Sequence, residues 1–249
     1  MINLTIDVGN TIISFCMFKK DKLLKHRRIP KDKLDKKVLE VLKKNFFGHH
    51  KIRSLISSVV PSSEKIIKSF FKDNLIHSIS LKDLLKRIDI KTNIKNIKEI
   101  GDDRFTNIIY AKKIYKNSVI VIDFGTATTF DVLNSKGVYF GGIITPGIDL
   151  SLNVLKYKTA KLPLVKFKKT KKVVGFNTKE AIESGFFWGY CSMIEGLIKK
   201  IEEEQKEVFK IILTGGNANY FKGIHKKIVL IDEFFTSKAL NYILNEYAE

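Results

Sequence analysis

The stretch VIVIDFGTATTFDV, residues 119–132, is the key to the fold, because it repeats a stretch near the start of the chain, LTIDVGNTIISFCMF, residues 4–18. In each stretch a run rich in β-branched residues enters Asp-x-Gly, and a second apolar run follows a few residues later. Apolar runs on both sides of a short glycine-containing turn predict a pair of strands. Two copies of this pattern in 249 residues predict a chain of two duplicated halves.

The residues around the two stretches predict the same order of elements in each half. The first half predicts strands at residues 3–8, 12–18 and 23–29, a helix capped by Asp32, a strand at 52–57, a helix opened by Pro61, a strand at 75–79 and a helix at 104–115. The second half predicts strands at 118–123, 129–134 and 137–144, a helix after Pro146-Gly147, a polar loop at 156–172 and a long helix at 178–204. A strand at 210–214, a short helix or turn at 217–223, a strand at 228–231 and a helix at 237–247 follow. Three strands followed by alternating helices and strands are typical of an α/β domain with a central sheet. We therefore predict an N-terminal domain of residues 1–115 and a C-terminal domain of residues 116–249.

The composition, 44% hydrophobic and 29% charged residues, is that of a globular protein. The sequence contains no apolar run of the roughly 18 to 20 residues that a membrane helix needs, and Asp7 interrupts the first apolar run. We therefore predict neither a membrane span nor a signal peptide, and a cytoplasmic protein. Cys16 and Cys191 are predicted to be buried, and the pair His49-His50 is interpreted as part of a solvated loop.

The large positive charge of the chain is weaker evidence for a nucleic-acid partner than its magnitude suggests. Lys and Arg number 45 against 26 Asp and Glu, a net charge of +19, but only five of the basic residues are Arg. Base recognition and bidentate phosphate contacts favour Arg over Lys, and the Lys residues are spread over the whole chain. We therefore expect no nucleic-acid partner and keep a basic nucleic-acid binder as an alternative. A positive surface would still attract an anionic substrate.

The repeated Asp-x-Gly turn has a chemical interpretation. The strand ends in a carboxylate, Asp7 or Asp123, and the glycine after it lets backbone N–H groups approach a ligand oxygen. The carboxylate suits Mg²⁺ or its waters and the turn suits phosphate oxygens, so two such turns are interpreted as holding one nucleotide. Thr214-Gly215-Gly216 follows another apolar strand and predicts a third close backbone approach. Ordinary hairpin turns and a simple loop after a strand remain the structural alternatives.

Several motifs together resemble one known family. DVGNT at 7–11, GDDR at 101–104, DFGTATT at 123–129, GGIITPG at 141–147, TAKLP at 159–163 and NTKEAIESG at 177–185 are similar to type III pantothenate kinases in order and spacing. This family lies within the superfamily of acetate and sugar kinases, heat-shock ATPases and actin. The resemblance implies two duplicated ribonuclease-H-like domains with the nucleotide cleft between them. It also implies ATP-dependent phosphorylation of pantothenate to 4'-phosphopantothenate, the first step of coenzyme A synthesis.

The resemblance also implies cofactors, partners and site residues. Mg²⁺, a monovalent cation such as K⁺ or NH₄⁺, and a homodimer are expected. Asp103 matches the general base, Asp123 matches the monovalent-cation ligand, and Asp7 is a candidate ligand of Mg²⁺. Pantothenate binding falls on Gly101, Asp102, Asp103, Arg104 and Thr178. ATP binding falls on Asp7, Val8, Gly9, Asn10, Thr11, Ile12, Ile13, Ser14, Thr126 and Gly215.

The sequence departs from the family pattern at the expected pantothenate site. Asp102 stands where the family usually has Ala, and Ile94 stands where a Tyr commonly contacts pantothenate. A second interpretation is therefore a member of the family with weak catalysis, acting as a regulatory protein that binds nucleotide or pantothenate. For Asp102 and Asp103, acidic residues that merely suit the positive end of a helix are the structural alternative.

Overall fold

The computed structural model describes residues 1–48 and 50–248, apart from the side chain of Lys98. The predicted loop residue His49 lies outside the described residues. The chain divides into two compact units. The first consists of Met1–Ile90, Lys95–Tyr110 and Phe234–Glu249, and the second consists of Lys91–Ile94 and Ala111–Glu233.

The first unit is built on a five-stranded mixed sheet. Its strands, in chain order, are β1 (Ile2–Val8), β2 (Ile12–Lys19), β3 (Lys22–Pro30), β4 (Ile52–Ser58) and β5 (His77–Ser80). They lie in the order β3-β2-β1-β4-β5, with β1 antiparallel to β2 and parallel to β4. The side chains of β1 are almost all buried, since this central strand is covered on both faces.

Four helices follow the strands of the first half. They are α1 (Lys36–Leu42), which continues into one π-helical turn, α2 (Pro61–Asp73), α3 (Leu81–Leu85) and α4 (Asp102–Ile114). Ile67, Phe70 and Phe71 of α2 recur at helical spacing and join the buried cluster beneath the sheet. Pro61 occupies the first turn of α2, where its missing N–H has no helical partner to lose.

The second unit has the same sheet topology. Its strands are β6 (Val119–Phe124), β7 (Ala127–Leu133), β8 (Tyr139–Pro146), β9 (Lys210–Gly215) and β10 (Ile228–Ile231), in the order β10-β9-β6-β7-β8. Read from its other end, this order repeats that of the first sheet. The helices α5 (Ile148–Tyr157) and α6 (Thr178–Gln205) follow β8, and Phe187, Ile194 and Ile198 of α6 enter the core. The repeated topology confirms the predicted duplication.

The last helix, α7 (Phe235–Tyr247), belongs to the first unit. Asn3 on β1 donates hydrogen bonds to Asn241 (2.7 Å) and Asn245 (2.8 Å) of this helix. Arg53 on β4 donates to Asn3 (2.8 Å) and to Asn245 (2.6 Å). Buried polar groups must be paired, so this network favours one position of α7 on the sheet. By backbone contacts the chain divides between Tyr110 and Ala111, inside α4, and again before α7, while the domain boundary at 115/116 stays a prediction.

Local details differ from the sequence-based expectation in two places. The prediction that Asp32 caps a helix is wrong: Asp32 lies in a short 3-10 turn, and Asp35 caps α1 by accepting from the Val38 N–H at 2.7 Å. Asp35 has the extended backbone that a capping residue requires. The short helix α3 was not predicted. Its Leu81 and Leu84 are buried at a spacing too short to give a periodic signal.

Both cysteines are free and buried, as predicted. Burial raises the pKa of the Cys191 thiol to about 11 and also raises the pKa of Cys16. Among the described residues, none of the helices combines the length and apolar character that crossing a membrane requires.

Candidate functional site

The first Asp-x-Gly turn lies at the end of β1. Asp7 pairs laterally with Ser14 on β2 and with Ser57 on β4. Laterally paired side chains lie on the same face of a sheet, so a carboxylate stands between two hydroxyls. The Gly9 N–H donates to the Ile12 carbonyl at 3.0 Å and closes the turn.

The second turn repeats this row of side chains at the end of β6. Asp123 pairs with Thr129 on β7 and with Thr214 on β9. Thr214 is buried, and its hydroxyl has no hydrogen-bond partner among the described residues. Each half thus presents a hydroxyl, a carboxylate and a second hydroxyl side by side at the same edge of its sheet. These are oxygen ligands of the kind that Mg²⁺ and other hard cations prefer.

Two glycines lie very close to the backbone and side chain of the second turn. Gly215 has φ +88°, and a Cβ placed there would lie 2.6 Å from Oδ1 of Asp123. The Gly147 N–H donates to the Thr126 carbonyl at 3.1 Å, and a Cβ at Gly147 would collide with the carbonyl oxygens of Gly125 and Thr126. Only glycine fits such close backbone approaches. The close backbone packing around Gly147 and Gly215 therefore fixes the conformation of the second turn.

The start of α4 carries the GDDR segment. Oδ1 of Asp103 accepts a hydrogen bond from the Arg104 N–H at 2.8 Å, and a Cβ at Gly101 would lie 2.6 Å from that oxygen. Asp103 and Arg104 are both half-buried. A helix start suits a carboxylate because the first N–H groups carry partial positive charge. The Asp103 carboxylate is therefore held close to the backbone of its own helix turn.

Asp102, the first residue of α4, lies deeper, at 9% exposure. Its carboxylate accepts a hydrogen bond from the backbone N–H of Ser58 at the end of β4. Its Oδ2 has no hydrogen-bond partner among the described residues. Burial raises the pKa of Asp102, Lys82 and the Ser58 N–H act against that rise, and the negative charges of Asp103 and Glu64 add to it.

The register of the sheet connects these two segments of the first unit. Ser58 pairs with Val8, next to Asp7, and the Val59 N–H donates to the Val8 carbonyl at 3.1 Å. Because Asp102 contacts Ser58, the start of α4 and the Asp7 turn lie at the same edge of the first sheet. The structure thus brings together, within one unit, the predicted ATP segment and the predicted pantothenate segment.

Thr178 is positioned separately, as the first residue of α6. Asn177 caps this helix by accepting from the Glu180 N–H at 2.9 Å, and Glu180 accepts in return from the Phe176 N–H at 3.1 Å. This reciprocal arrangement is similar to a capping box, except that Glu180 accepts from the residue before the N-cap. The Phe176 N–H is the main cause that lowers the pKa of Glu180. Thr178 is exposed at the start of the helix, where the first N–H groups have no partner within the helix itself.

The lysine-rich segment before α6, residues 168–173, lies along that helix. Glu183 is only 5% exposed and pairs with Lys168 at 2.7 Å, and the Trp188 indole donates to the Lys172 carbonyl at 3.1 Å. Ser184 also donates to the carbonyl of Val173. These contacts hold the lysine-rich segment in place, where the sequence indicated only a polar loop.

The sequence interpretation missed Gly147 and Ser58 as supports of the two turns. A signal for Gly147 exists, because the third strand of each half ends in Pro, followed by Lys31 in one half and Gly147 in the other. No local signal marks Ser58, since its role depends on a contact with the distant residue Asp102.

Comparison with known proteins assigns this geometry to a family. Residues 3–200 match the family model described as type III pantothenate kinase. The chain is also 39% identical, over 243 residues, to the type III pantothenate kinase of Pelagibacter ubique (strain HTCC1062), covering 94% of this chain and 95% of that protein. This chain belongs to the type III pantothenate kinase family. The kinase carries its two Asp-x-Gly turns and its GDDR segment at the sheet edges described above.

Solved structures support the fold of the kinase. A Campylobacter jejuni protein assigned to the Baf family of transcriptional activators matches with a TM-score of 0.63 at 21% identity, covering 98% of each chain. Component A of (R)-2-hydroxyglutaryl-CoA dehydratase from Acidaminococcus fermentans matches with a TM-score of 0.54 at 14% identity, covering 100% of this chain and 98% of that one. At these identities the likeness concerns the fold alone, two duplicated ribonuclease-H-like α/β domains.

Proposed function

We propose a set of residue roles for the reaction that family membership assigns to this protein. As a type III pantothenate kinase, the protein phosphorylates pantothenate with ATP, which is the first step of coenzyme A synthesis. The observation that carries the proposal is the contact between Asp102 and Ser58, which puts the start of α4 beside the Asp7 turn. A base and a phosphate-binding turn then act from one sheet edge.

Asp103 acts as the general base. Phosphoryl transfer requires alignment of the acceptor hydroxyl, neutralisation of charge and a group that accepts the hydroxyl proton. Asp103 supplies a half-buried carboxylate, and Arg104 beside it supplies a positive charge for an anionic substrate. Gly101, Asp102 and Thr178 complete the proposed pantothenate contacts.

ATP is bound by residues 7–14, Thr126 and Gly215. In the first turn, the N–H groups of Gly9 and its neighbours suit phosphate oxygens. Mg²⁺ fits the same turn, because the row of Asp7, Ser14 and Ser57 offers only oxygen ligands. Asp7 would hold the ion, and the ion would supply positive charge that offsets the charge of the phosphates.

Asp123 holds the monovalent cation. The fit rests on two features: the row of oxygens that Asp123 forms with Thr129 and Thr214, and the closely packed Gly215 that positions the carboxylate. Carboxylate and hydroxyl oxygens suit a hard monovalent ion such as K⁺ or NH₄⁺. A cation bound there would supply fixed positive charge at the second turn.

The kinase forms a homodimer in the cytoplasm. The evidence for a dimer is an exposed apolar stripe on α5. Leu150, Val154 and Tyr157 recur on one face of this helix and are 45%, 50% and 80% exposed. Such a stripe on a helix normally packs against a partner. Light scattering after size exclusion measures the assembly, and a Val154→Lys variant that stays dimeric would contradict the role of this stripe.

The proposed base is tested with Asp103→Asn. We expect wild-type protein to consume ATP in the presence of pantothenate and Mg²⁺, faster with K⁺. The Asn variant should lose on the order of 100-fold or more in kcat, since it cannot accept a proton, and should keep its ATP affinity by calorimetry. Near-normal kcat in this variant excludes Asp103 as the base. ATP binding by the wild-type protein without turnover would instead favour the regulatory interpretation.

A further inference from the structure

Asp102 is an unusual residue for its position. It is the first residue of α4, it is nine-tenths buried, and its Oδ2 has no hydrogen-bond partner among the described residues. A buried carboxylate oxygen without a partner is costly. The contacts of the other carboxylate oxygen suggest what the carboxylate contributes.

The carboxylate joins two segments that are far apart in the chain. It accepts from the Ser58 N–H at the end of β4, and Ser58 is the lateral partner of Val8 in the Asp7 turn. At the other end, Asp102 is the residue directly before Asp103. Its own carbonyl accepts from the Thr106 hydroxyl at 2.7 Å, which stabilises the first turn of α4.

We propose that Asp102 is a positioning residue for the phosphoryl transfer: its carboxyl group anchors the first turn of α4 to the end of β4 and so fixes Asp103 relative to the Asp7 turn. The inference rests on the proposed base role of Asp103. In this chain the anchor also brings a second ionisable group next to the base.

The surroundings of Asp102 give the anchor a measurable pH dependence. Lys82 of α3 favours its charged form, while Glu64 of α2 and Asp103 of α4 oppose it. Because Asp102 is itself ionisable and lies next to the proposed base, its charge contributes to the pH dependence of turnover. Substitutions that remove the charge at residue 102 should therefore move the acid limb of the pH profile of kcat/KM to lower pH.

Two substitutions distinguish the hydrogen bond between Asp102 and Ser58 from the negative charge of Asp102. Asp102→Asn keeps an oxygen that accepts from Ser58 and removes the ionisation, so we expect a clearly smaller loss of kcat than in Asp102→Ala, together with a shifted acid limb. Asp102→Ala removes both, so we expect kcat to fall about 10-fold with little change in the KM for ATP, because small displacements of a base are costly. Asp35→Ala is the matched control, since it removes another carboxylate from a helix start, far from the site in sequence. It should leave kcat and the pH profile unchanged.

Hydrogen exchange measured by mass spectrometry tests the anchor without activity. Peptides covering the end of β4 and the start of α4 should exchange faster in Asp102→Ala than in the parent, and Asp102→Asn should match the parent. Parent-like exchange in the Ala variant overturns the anchor. If the parent is active and the Ala variant has the same kcat and the same pH profile, Asp102 is not a positioning residue. A parent that fails to phosphorylate pantothenate refutes the proposed function instead, and the exchange comparison still decides whether Asp102 is an anchor.

Discussion

The two halves support their turns by the same backbone hydrogen bond but with different residues. After β3 ends in Pro30, the Lys31 N–H donates to the Thr11 carbonyl at 2.8 Å. After β8 ends in Pro146, the Gly147 N–H donates to Thr126 at 3.1 Å. The first half accepts a lysine at this place, whereas the second half has no room even for a Cβ.

A second pair of equivalent positions shows the same difference. Ser58 lies beside Val8 in the first sheet, and Gly215 lies beside Phe124 in the second. Gly215 takes a positive φ and approaches Asp123 closely, while Ser58 offers its N–H to Asp102. Duplication therefore preserved the strands and the hydrogen bonds. The second turn is fixed by backbone packing, and the first is connected through side chains to the proposed base.

The largest effect is expected from Gly147→Ala. Its Cβ would meet backbone carbonyls, which cannot move aside as a flexible side chain would. We expect a loss of about 3 kcal/mol of unfolding free energy, the upper end for overpacking, measured by urea denaturation. Lys31→Ala is the matched substitution in the first half and should change stability by less than about 0.5 kcal/mol. Equal losses in the two variants would show that the two turns are supported alike.

The two carboxylates of the turns should affect different cations. Asp123→Asn should weaken activation by K⁺ about 10- to 100-fold, and Asp7→Asn should weaken Mg²⁺-dependent ATP binding by a similar factor, since changes around a metal site typically cost this much. Calorimetry with ATP and Mg²⁺, and K⁺-dependent thermal shifts, measure the two effects apart from turnover. If both variants lose both responses equally, the division of roles between the halves is wrong.

The sequence was sufficient to predict the strands and the duplication. The β-branched runs of β1, β6 and β9 are continuous and buried, which gives a strong signal for central strands. The Asp-x-Gly turns then follow from the residues that end these strands. The family motifs led to the same site residues, whose roles stay predictions until they are tested.

Features that depend on contacts between distant residues could not be predicted. The place of α7 in the first unit depends on the hydrogen bonds of Asn3 with Asn241 and Asn245, more than 200 residues away. The burial of Asp102 depends on packing against the end of β4. The helix cap was predicted three residues early because Asp32 and Asp35 are both suitable by residue type, and only the backbone conformation selects Asp35.

Two paired carboxylates outside the turns, one in each half, allow the same comparison with smaller expected effects on stability. Burial would raise the pKa of Glu202, but hydrogen bonds from Lys227 (2.6 Å) and from the Phe209 N–H (3.0 Å) outweigh it and lower the pKa. Glu64 in the first half has a lowered pKa for the same kind of reason, with Lys68 and Ser80 as donors. A lowered pKa stabilises the folded state above the ordinary carboxyl pKa, and this contribution is lost as the pH falls through the folded value. We therefore expect Glu202→Gln to cost about 1 kcal/mol at neutral pH, with the difference disappearing in thermal melts well below pH 4.5.

The smallest expected effect is a gain in stability, and it concerns the helix that closes the first half. The helix α4 begins with two carboxyl groups, whereas its counterpart α7 has no acidic residue in its first turn. The raised pKa of Asp102 means that its ionisation opposes folding as the pH rises above the ordinary value of 3.8, and has no effect below it. Asp102→Asn should therefore raise the unfolding free energy by about 0.5–1 kcal/mol at neutral pH, about 1–4 °C in Tm, and match the parent in acid below pH 3.8. A gain of the same size at every pH would mean that the stabilisation comes from packing, and that the carboxyl group of Asp102 is not the charge that distinguishes α4 from α7.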